Sequence, residues 1–358
     1  METMGIDKLL QTYKRKKVLV TGHTGFKGSW LTIWLNKLGA TVVGISLDPN
    51  TSRDNFVLSD IKGEIKDYRE DIRNLEKIKE IVNKEQPEIL FHLAAQPLVL
   101  ESYNNPVDTY ETNIMGTVNM LEAFRQADSL TTGIFITTDK CYDNKEWVHG
   151  YREIDSMGGY DPYSSSKGAA ELVISSYRNS FFKSNKKNIA SVRAGNVIGG
   201  GDWSQDRIVV DIVKAIEGNK TIEIRSPHSI RPWQHVLEPL GGYLLLGAKM
   251  LAEPGRYTEA WNFGPEQQNI CDVKTLTNEI IACWGNGEWL DVSDKSLKHE
   301  AKLLSLDIAK ACYHLNWKPV LDLKKTVEFT VEWYKNYKSA NVNQICLNQI
   351  EKYTQLWK

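Results

Sequence analysis

An excess of charge of one sign is missing from this chain: 44 Lys and Arg stand against 45 Asp and Glu in 358 residues. Balanced charge leaves no field that would draw in a nucleic acid or an anionic membrane surface. Long apolar runs are also missing. None approaches the roughly 20 residues of a membrane span, and no N-terminal stretch reads as a secretory signal. Cysteine is sparse: Cys141, Cys271, Cys283, Cys312 and Cys346 are scattered, odd in number and without C-x-x-C spacing. That pattern speaks against a zinc or disulfide framework and for reduced thiols, so a cytoplasmic protein is expected. The seven histidines form no metal-ligand cluster, and no metal is expected. Repeats and low-complexity linkers are absent as well, which predicts lobes packed as one unit.

What is present begins with glycine. The apolar run Val18-Leu19-Val20 leads into Thr21-Gly22-His23-Thr24-Gly25-Phe26-Lys27-Gly28, and that into Ser29-Trp30-Leu31. A strand that turns on three glycines into a helix is a device for holding a dinucleotide. Gly22 permits the tight turn, Gly25 lets the backbone approach a pyrophosphate, and Gly28 lets helix and strand pack closely. The helix N-terminus offers unpaired N–H donors to the phosphates. Thr24, Phe26 and Lys27 fill the same loop and are assigned with it. The plainer reading is an ordinary Gly-rich βα turn. The basic run Lys14–Lys17 reads as a solvated strand entry, and most of the 11 Trp as core.

Strand-like segments at Lys17–Thr21, Thr41–Leu47, Ile65–Asp67, Ile89–Leu93, Gly133–Thr137 and Ile189–Arg193 alternate with helical patterns. The helices are predicted at Gly25–Leu38, Leu75–Lys84, Asp108–Gln126 and Pro162–Phe182. Short, doubly apolar strands between amphipathic helices imply an α/β fold, a doubly wound parallel sheet of the Rossmann type covered on both faces. After Gly199-Gly200-Gly201 the pattern turns irregular, with helices again near Val273–Cys283 and Leu323–Lys338. We read residues 1–196 as the dinucleotide-binding domain, with part of 235–265 returning to it. Residues 197–358 form, on this reading, mainly a smaller mixed α/β substrate lobe.

In such sheets ligands collect at the carboxyl ends of the strands. Tyr163 and Lys167 stand four apart on one helix face, begun by Asp161 as N-cap and Pro162 as first helical residue. A phenol of pKa about 10 is a poor base until a nearby ammonium and a positively charged nicotinamide favour the phenolate. Ordinary helix-surface packing is the alternative for the pair. Thr137, Thr138, Asp139 and Lys140 cluster at the mouth of the fifth strand, either as a loop start or as a constellation. Thr138 is placed to bond a substrate alcohol, and the adjoining acid and base suggest a proton transfer beyond simple alcohol oxidation. Ala94, Ala95 and Gln96 end the fourth strand, where small residues let a cofactor lie against backbone. Asp71 and Ile72 follow the third and suit an adenine amino group. Asp48 ends the second strand, either as a ribose-binding carboxylate that favours NAD over NADP or as a surface-turn residue. Arg207 and Arg231 suit a diphosphate or are ordinary surface pairs, and Asn196 is placed to touch the same group.

With these residues assembled, the chain resembles the extended short-chain dehydrogenase/reductases that act on nucleotide sugars. The GxxGxxG loop, Asp71-Ile72, Ala94-Ala95 and Tyr-x-x-x-Lys carry the likeness over residues 17–200, and Asp307-x-x-Lys310-Ala311 with Leu315-x-Trp317-x-Pro319 extend it to the second lobe. The strings Thr138–Trp147, Gly158–Ser164, Arg193–Trp203 and Arg231–Pro239 are similar to the dehydratase subgroup that takes CDP-glucose as substrate. Its dTDP- and GDP-sugar relatives carry Thr-Asp-Glu where this chain has Thr138-Asp139-Lys140. Leu100, where a basic residue is expected, and Asp48 depart from the subgroup. The resemblance implies NAD as cofactor and Thr138, Asp139, Lys140, Tyr163 and Lys167 as catalytic residues. It implies substrate contacts from Gln96, Asn196, Trp203, Arg207, Arg231 and His235. It also implies a homodimer, or a tetramer, built on helices Asp108–Gln126 and Pro162–Phe182, and a place in deoxysugar and O-antigen (lipopolysaccharide) biosynthesis. A 4-epimerase shares the fold, NAD and the Tyr/Lys pair but has no need of the Asp139-Lys140 couple. A non-catalytic NAD-binding regulator has no need of the pair at all.

Overall fold

The computed structural model describes residues 10–183, 187–293 and 303–357. Seven parallel strands form its main sheet: β1 (Lys17–Thr21), β2 (Thr41–Ser46), β3 (Lys66–Arg69), β4 (Ile89–His92), β5 (Thr132–Ile136), β6 (Asn188–Ala194) and β7 (Ala260–Phe263). Their order is β7-β6-β5-β4-β1-β2-β3, so the winding reverses between β1 and β4 and opens a crevice there. Six strands lie within two residues of where apolar runs between helical patterns put them. The seventh was not among the sequence-predicted strands; Ala260–Phe263 is too short to show a period by itself and is a strand because it pairs with β6.

Because successive side chains of a strand point to opposite faces, one strand serves two cores. Val18 and Val20 pack with Trp30, Leu31 and Trp34 of α1 (Phe26–Lys37) on one face. Leu19 packs on the other with α2 (Leu75–Glu85), α3 (Gly116–Gln126) and α4 (Pro162–Tyr177), through Ile78, Met120 and Ile174. Each fully buried side chain of this size contributes roughly 1.5–3 kcal/mol, so both faces of the sheet are strongly committed. The predicted helix Asp108–Gln126 is composite: a turn at Pro106–Tyr110, a widened π turn at Glu111–Met115, then α3. The predicted Pro162–Phe182 likewise ends in a π turn at Arg178–Phe182.

Beyond Ala194 follow α5 (Ile208–Glu217), α6 (Leu237–Ala252), α7 (Val273–Trp284), α8 (Leu323–Asn336) and α9 (Val342–Leu356). Short strand pairs such as Gln234–His235 against Val197–Ile198 lie between some of them. α6 is buried along almost its whole length and joins the α1 core, which is why its sequence shows no amphipathic period. Among the described residues no helix is long and apolar enough to cross a membrane, and no metal-ligand cluster occurs.

Candidate active site

The crevice is floored by the glycine loop. Gly22 turns at φ +74°, and a Cβ there would stand 2.7 Å from the Ala94 nitrogen; a Cβ on Gly28 would stand 2.0 Å from the Gly22 carbonyl oxygen. Gly25, which N-caps α1, is different: it is exposed, and its nearest outside neighbour would be the Gly22 oxygen at 3.4 Å. A closed cradle with one open glycine at a helix N-terminus suits a diphosphate. The Thr24 hydroxyl bonds Ser46 and the Leu47 carbonyl, tying the loop to the end of β2. Phe26 packs towards Gly199. The Lys27 ammonium is pushed down to about 8 by burial, with Arg207 and Lys167 acting in the same sense and Asp139 opposing.

At the end of β4, the Ala94 N–H donates to Thr21 Oγ1, and Ala95 and Gln96 follow it towards solvent. Both ends of the Gln96 side-chain amide are engaged: Nε2 donates to the Leu98 carbonyl and Thr109, and Oε1 accepts from the Leu98 N–H. Its backbone is engaged as well, the Gln96 N–H donating to Asn113 and its carbonyl accepting from the Asn113 amide. Asp71 accepts from Arg73, whose guanidinium holds its carboxyl below the usual range against the effect of burial. Ile72 is buried against Gly116.

The fifth strand delivers Thr137 and Thr138, then a short 3-10 turn at Asp139–Cys141. Asp139 is 1 % exposed; one carboxylate oxygen accepts from Thr138 at 2.9 Å and the other has no partner. Lys140 is half-buried, its backbone N–H donating to Thr138. Helix α4 starts as its sequence predicts, the Asp161 side chain accepting from the Ser164 N–H at 2.9 Å behind Pro162. Its first turns are pinned from outside: Ser102 accepts from the Tyr163 N–H, and Asn113 donates to Ser166. Tyr163 and Lys167 are thereby held nearly buried.

Burial dominates both groups. It raises the Tyr163 phenol to about 12, opposed first by the Arg207 guanidinium, then by a hydrogen bond with Thr138. It lowers the Lys167 ammonium to about 8, opposed first by Glu171. The exposed Arg207 guanidinium, brought over from the second half of the chain, is a second positive charge that favours the phenolate, beside the Lys167 to which the helix spacing points. The structure thus gathers Lys27, Thr138, Asp139, Tyr163, Lys167 and Arg207 at one end of the crevice. Asn196 lies at its margin, its carbonyl accepting from the Gln234 N–H, and Arg231 is buried with its guanidinium on the Ile230 carbonyl.

Three expected contacts lie elsewhere. β2 ends at Ser46, and Asp48 sits two residues further on, fully exposed and paired with Arg69 at 3.4 Å; it is the surface-turn residue of the two readings. His235 is wholly buried between Trp30 and Phe329, and burial lowers its imidazole to about 3, so it is a neutral core residue. Trp203 is 3 % exposed, packed against Tyr334 and Tyr337 under the Arg53 guanidinium. The burial of both is decided by tertiary packing, since the sequence around each is largely polar or Gly-rich.

Sequence reading also passed over a buried network beneath the site. Glu171 accepts from Thr137 at 2.5 Å, Ser191 at 2.8 Å and Arg193 at 2.8 Å. Arg193 reaches on to the Tyr142 hydroxyl, which donates to Asn262 of β7. The available signal was position: Glu171 lies one helical turn after Lys167.

The family model described as GDP-mannose 4,6 dehydratase matches residues 19–330. The CDP-glucose 4,6-dehydratase of Salmonella typhimurium is 46% identical over 340 residues, covering 93% of this chain and 94% of that one. Among solved structures, a dTDP-glucose 4,6-dehydratase from Bacillus anthracis in complex with NAD superposes with TM-score 0.75 at 20% identity, over 92% of this chain and 99% of that one. A UDP-glucose 4-epimerase from Thermotoga maritima with UDP-glucose gives 0.76 at 22% identity, over 90% of this chain and its whole length. The fold is common to both activities, but the family match and the close relative fall on the dehydratase side, and this chain belongs to the GDP-mannose 4,6-dehydratase family.

Proposed function

We infer that the chain is a CDP-glucose 4,6-dehydratase that converts CDP-D-glucose to CDP-4-dehydro-6-deoxy-D-glucose and water. The observation that carries this reading is the buried acid Asp139, one oxygen unpartnered, in the same cluster as Thr138, Tyr163 and Lys167 and next to Lys140. A 4-epimerase has no use for that acid–base couple. The 46% identity to a CDP-glucose 4,6-dehydratase supports both the reaction and the nucleotide.

The residues fit NAD. Gly22, Gly25 and Gly28 with the α1 N-terminus hold the diphosphate, Asp71 and Ile72 the adenine, and Ala94 and Ala95 let the dinucleotide lie on backbone. Bound NAD supplies the reversible hydride acceptance that oxidation at C4 and reduction at C6 require. Tyr163, as phenolate, accepts the 4-hydroxyl proton, with Thr138 hydrogen-bonded beside it. Its starting value of about 12 means that this step needs help from positive charge, which Arg207 gives and a nicotinamide cation adds. The 4-ketone acidifies the C5 hydrogen. Lys140 takes that proton and returns it to C5 as C6 is reduced, and Asp139 protonates the departing 6-hydroxyl. Water is lost across C5–C6, and Arg207, Arg231 and Asn196 hold the substrate diphosphate.

The assembly is a homodimer. Val107, Met115, Leu172 and Phe181 are exposed on the segments 106–126 and 162–182, an apolar surface a second copy would cover. Light scattering checks this, a monomer or tetramer being the contrary outcomes. Five free thiols fit a reducing cytoplasm, and the product suits deoxysugar and O-antigen synthesis. The activity is tested by incubating the protein with NAD and CDP-glucose, with dTDP-, UDP- and GDP-sugars in parallel, and following mass. Loss of one water from the CDP-sugar alone is expected. Isomerisation without mass change would replace the reading by an epimerase.

A further inference from the structure

On the dehydratase reading above, Lys140 takes the C5 proton and returns it, so the proton lost by the 4-hydroxyl has to end in the water that leaves C6. Tyr163 receives that proton, whereas Asp139 gives the one that departs. Unless the two residues are connected, each turnover leaves Tyr163 a proton too rich and Asp139 a proton too poor.

One hydroxyl stands between them. Thr138 Oγ1 donates to Asp139 Oδ1 at 2.9 Å, accepts from the Lys140 backbone N–H at 3.4 Å, and is hydrogen-bonded with the Tyr163 phenol. A hydroxyl has one donor and two acceptor sites. With its O–H on Asp139 and one lone pair on the Lys140 N–H, Thr138 has one lone pair left, so a protonated phenol is the donor in the third bond. The bonds then run in one sense from Tyr163 through Thr138 to Asp139, and when Tyr163 is a phenolate the Thr138 O–H can turn to it instead. Among the described residues the Asp139 carboxyl has no other partner: it is 1 % exposed, and Oδ2 is unbonded. Oδ2 lies against Gly195, where a Cβ would stand 3.1 Å from it and 2.8 Å from Pro232 Cγ. Gly195 does not adopt the left-handed backbone that calls for glycine, so what its missing side chain provides is room for the carboxyl.

We propose that Thr138 is a proton relay that carries the 4-hydroxyl proton from Tyr163 to Asp139 as the 6-hydroxyl departs. The Tyr163 proton passes to Thr138 Oγ1, the Thr138 proton to Asp139 Oδ1, and the proton on Asp139 Oδ2 to O6. The C6–O6 electron pair leaves with the water, and the C5–H pair, freed as Lys140 takes the C5 proton, forms the C5–C6 double bond. Tyr163 ends as the phenolate that the next oxidation needs, Asp139 stays a neutral acid, and solvent supplies nothing. The direction is downhill, since a phenol at about 12 is a stronger acid than the water formed, at about 15.7. A half-turn of the carboxyl about Cβ–Cγ, for which Gly195 leaves room, returns its O–H to the Oδ2 side.

The test compares wild type with Thr138→Val and Thr138→Ser. Reactions with NAD and CDP-glucose are quenched early in borodeuteride and the sugars are weighed by mass spectrometry. A 4-ketone that still carries its 6-hydroxyl is trapped as a CDP-hexose with one deuterium. Loss of a relay falls on elimination, after C4 has been oxidised. Thr138→Val is therefore expected to lower kcat roughly 10²-fold while raising the trapped share of bound sugar about tenfold. Thr138→Ser keeps the O–H and is expected not to accumulate the ketone. A slowed Thr138→Val with no accumulation overturns the proposal, because the hydroxyl then serves only the oxidation step. Thr138→Ala takes the same test should the valine variant not fold, and loss of the fold in both also overturns it, making the hydroxyl structural. Wild-type protein that leaves CDP-glucose unchanged sinks the dehydratase reading and the relay with it. Wild-type protein that dehydrates while the variants accumulate nothing sinks the relay alone.

Discussion

Two buried glutamates in different regions of the molecule titrate in opposite directions. Glu171, under the catalytic helix, is 3 % exposed, and Glu238, in the first turn of α6, is 1 % exposed. Burial pushes both carboxyls up. At Glu171 the Arg193 guanidinium and hydroxyls of Thr137 and Ser191 outweigh it and hold the group below the usual range. At Glu238 the donors are the Val320 and Leu321 N–H groups and the Tyr353 hydroxyl, none of them cationic, and the carboxyl stands at about 7. Equal burial therefore says nothing about charge; the presence of a cation decides. The region around α4 spends a full charge next to the chemistry. The region around α6 and α9 uses a carboxyl as a strut that ties the C-terminal segments to the core.

The sharpest contrast is between the tyrosines of the two regions. Tyr163→Phe should lower kcat by about 10²–10⁴-fold while leaving the urea midpoint unchanged. Comparable loss of stability would mean the phenol is structural. Next in size, Arg193→Met strips Glu171 of its cation and should cost about 3–5 kcal/mol in chemical unfolding. A cost under about 1 kcal/mol would show that the hydroxyls suffice. Glu238→Gln probes the other carboxyl through pH. Its folded value of about 7 exceeds the ordinary 4.5, so the folded protein holds a proton that the unfolded chain releases between those values. Wild-type stability should fall by up to about 3 kcal/mol as pH rises through that window, and Glu238→Gln should escape the loss. Parallel pH curves would refute the assignment. The smallest effect belongs to Tyr353→Phe, which removes one neutral donor and should cost about 1 kcal/mol without altering turnover. A fall in turnover would break the separation of the two regions.

How far the sequence could be read follows the same division. Between β1 and β6 every strand but β3, the polar Lys-Asp-Tyr-Arg, is a short apolar run, and α1 to α4 each begin at a cap or a glycine, so local pattern and tertiary fate mostly agree. Asp161, Pro162 and the three loop glycines could be placed for that reason. After Ala194, strands of two residues and a helix buried all round leave no period to read, and His235 and Trp203 were taken for ligand contacts there. Asp48 failed differently: where a strand ends depends on its neighbour, and β2 stops at Ser46, leaving the carboxylate to Arg69 in solvent.

By itself the sequence determined the parallel α/β core, the glycine turn and the helix face carrying Tyr163 and Lys167, because each is set by contacts only a few residues apart. Only the tertiary structure decided that Arg207 comes near the phenol, that Glu171 is paired with Arg193 and held below the usual carboxyl range, and that Glu238 has no cation and is pushed above it. Those outcomes depend on desolvation and on partners from distant strands, and neither is encoded in local spacing.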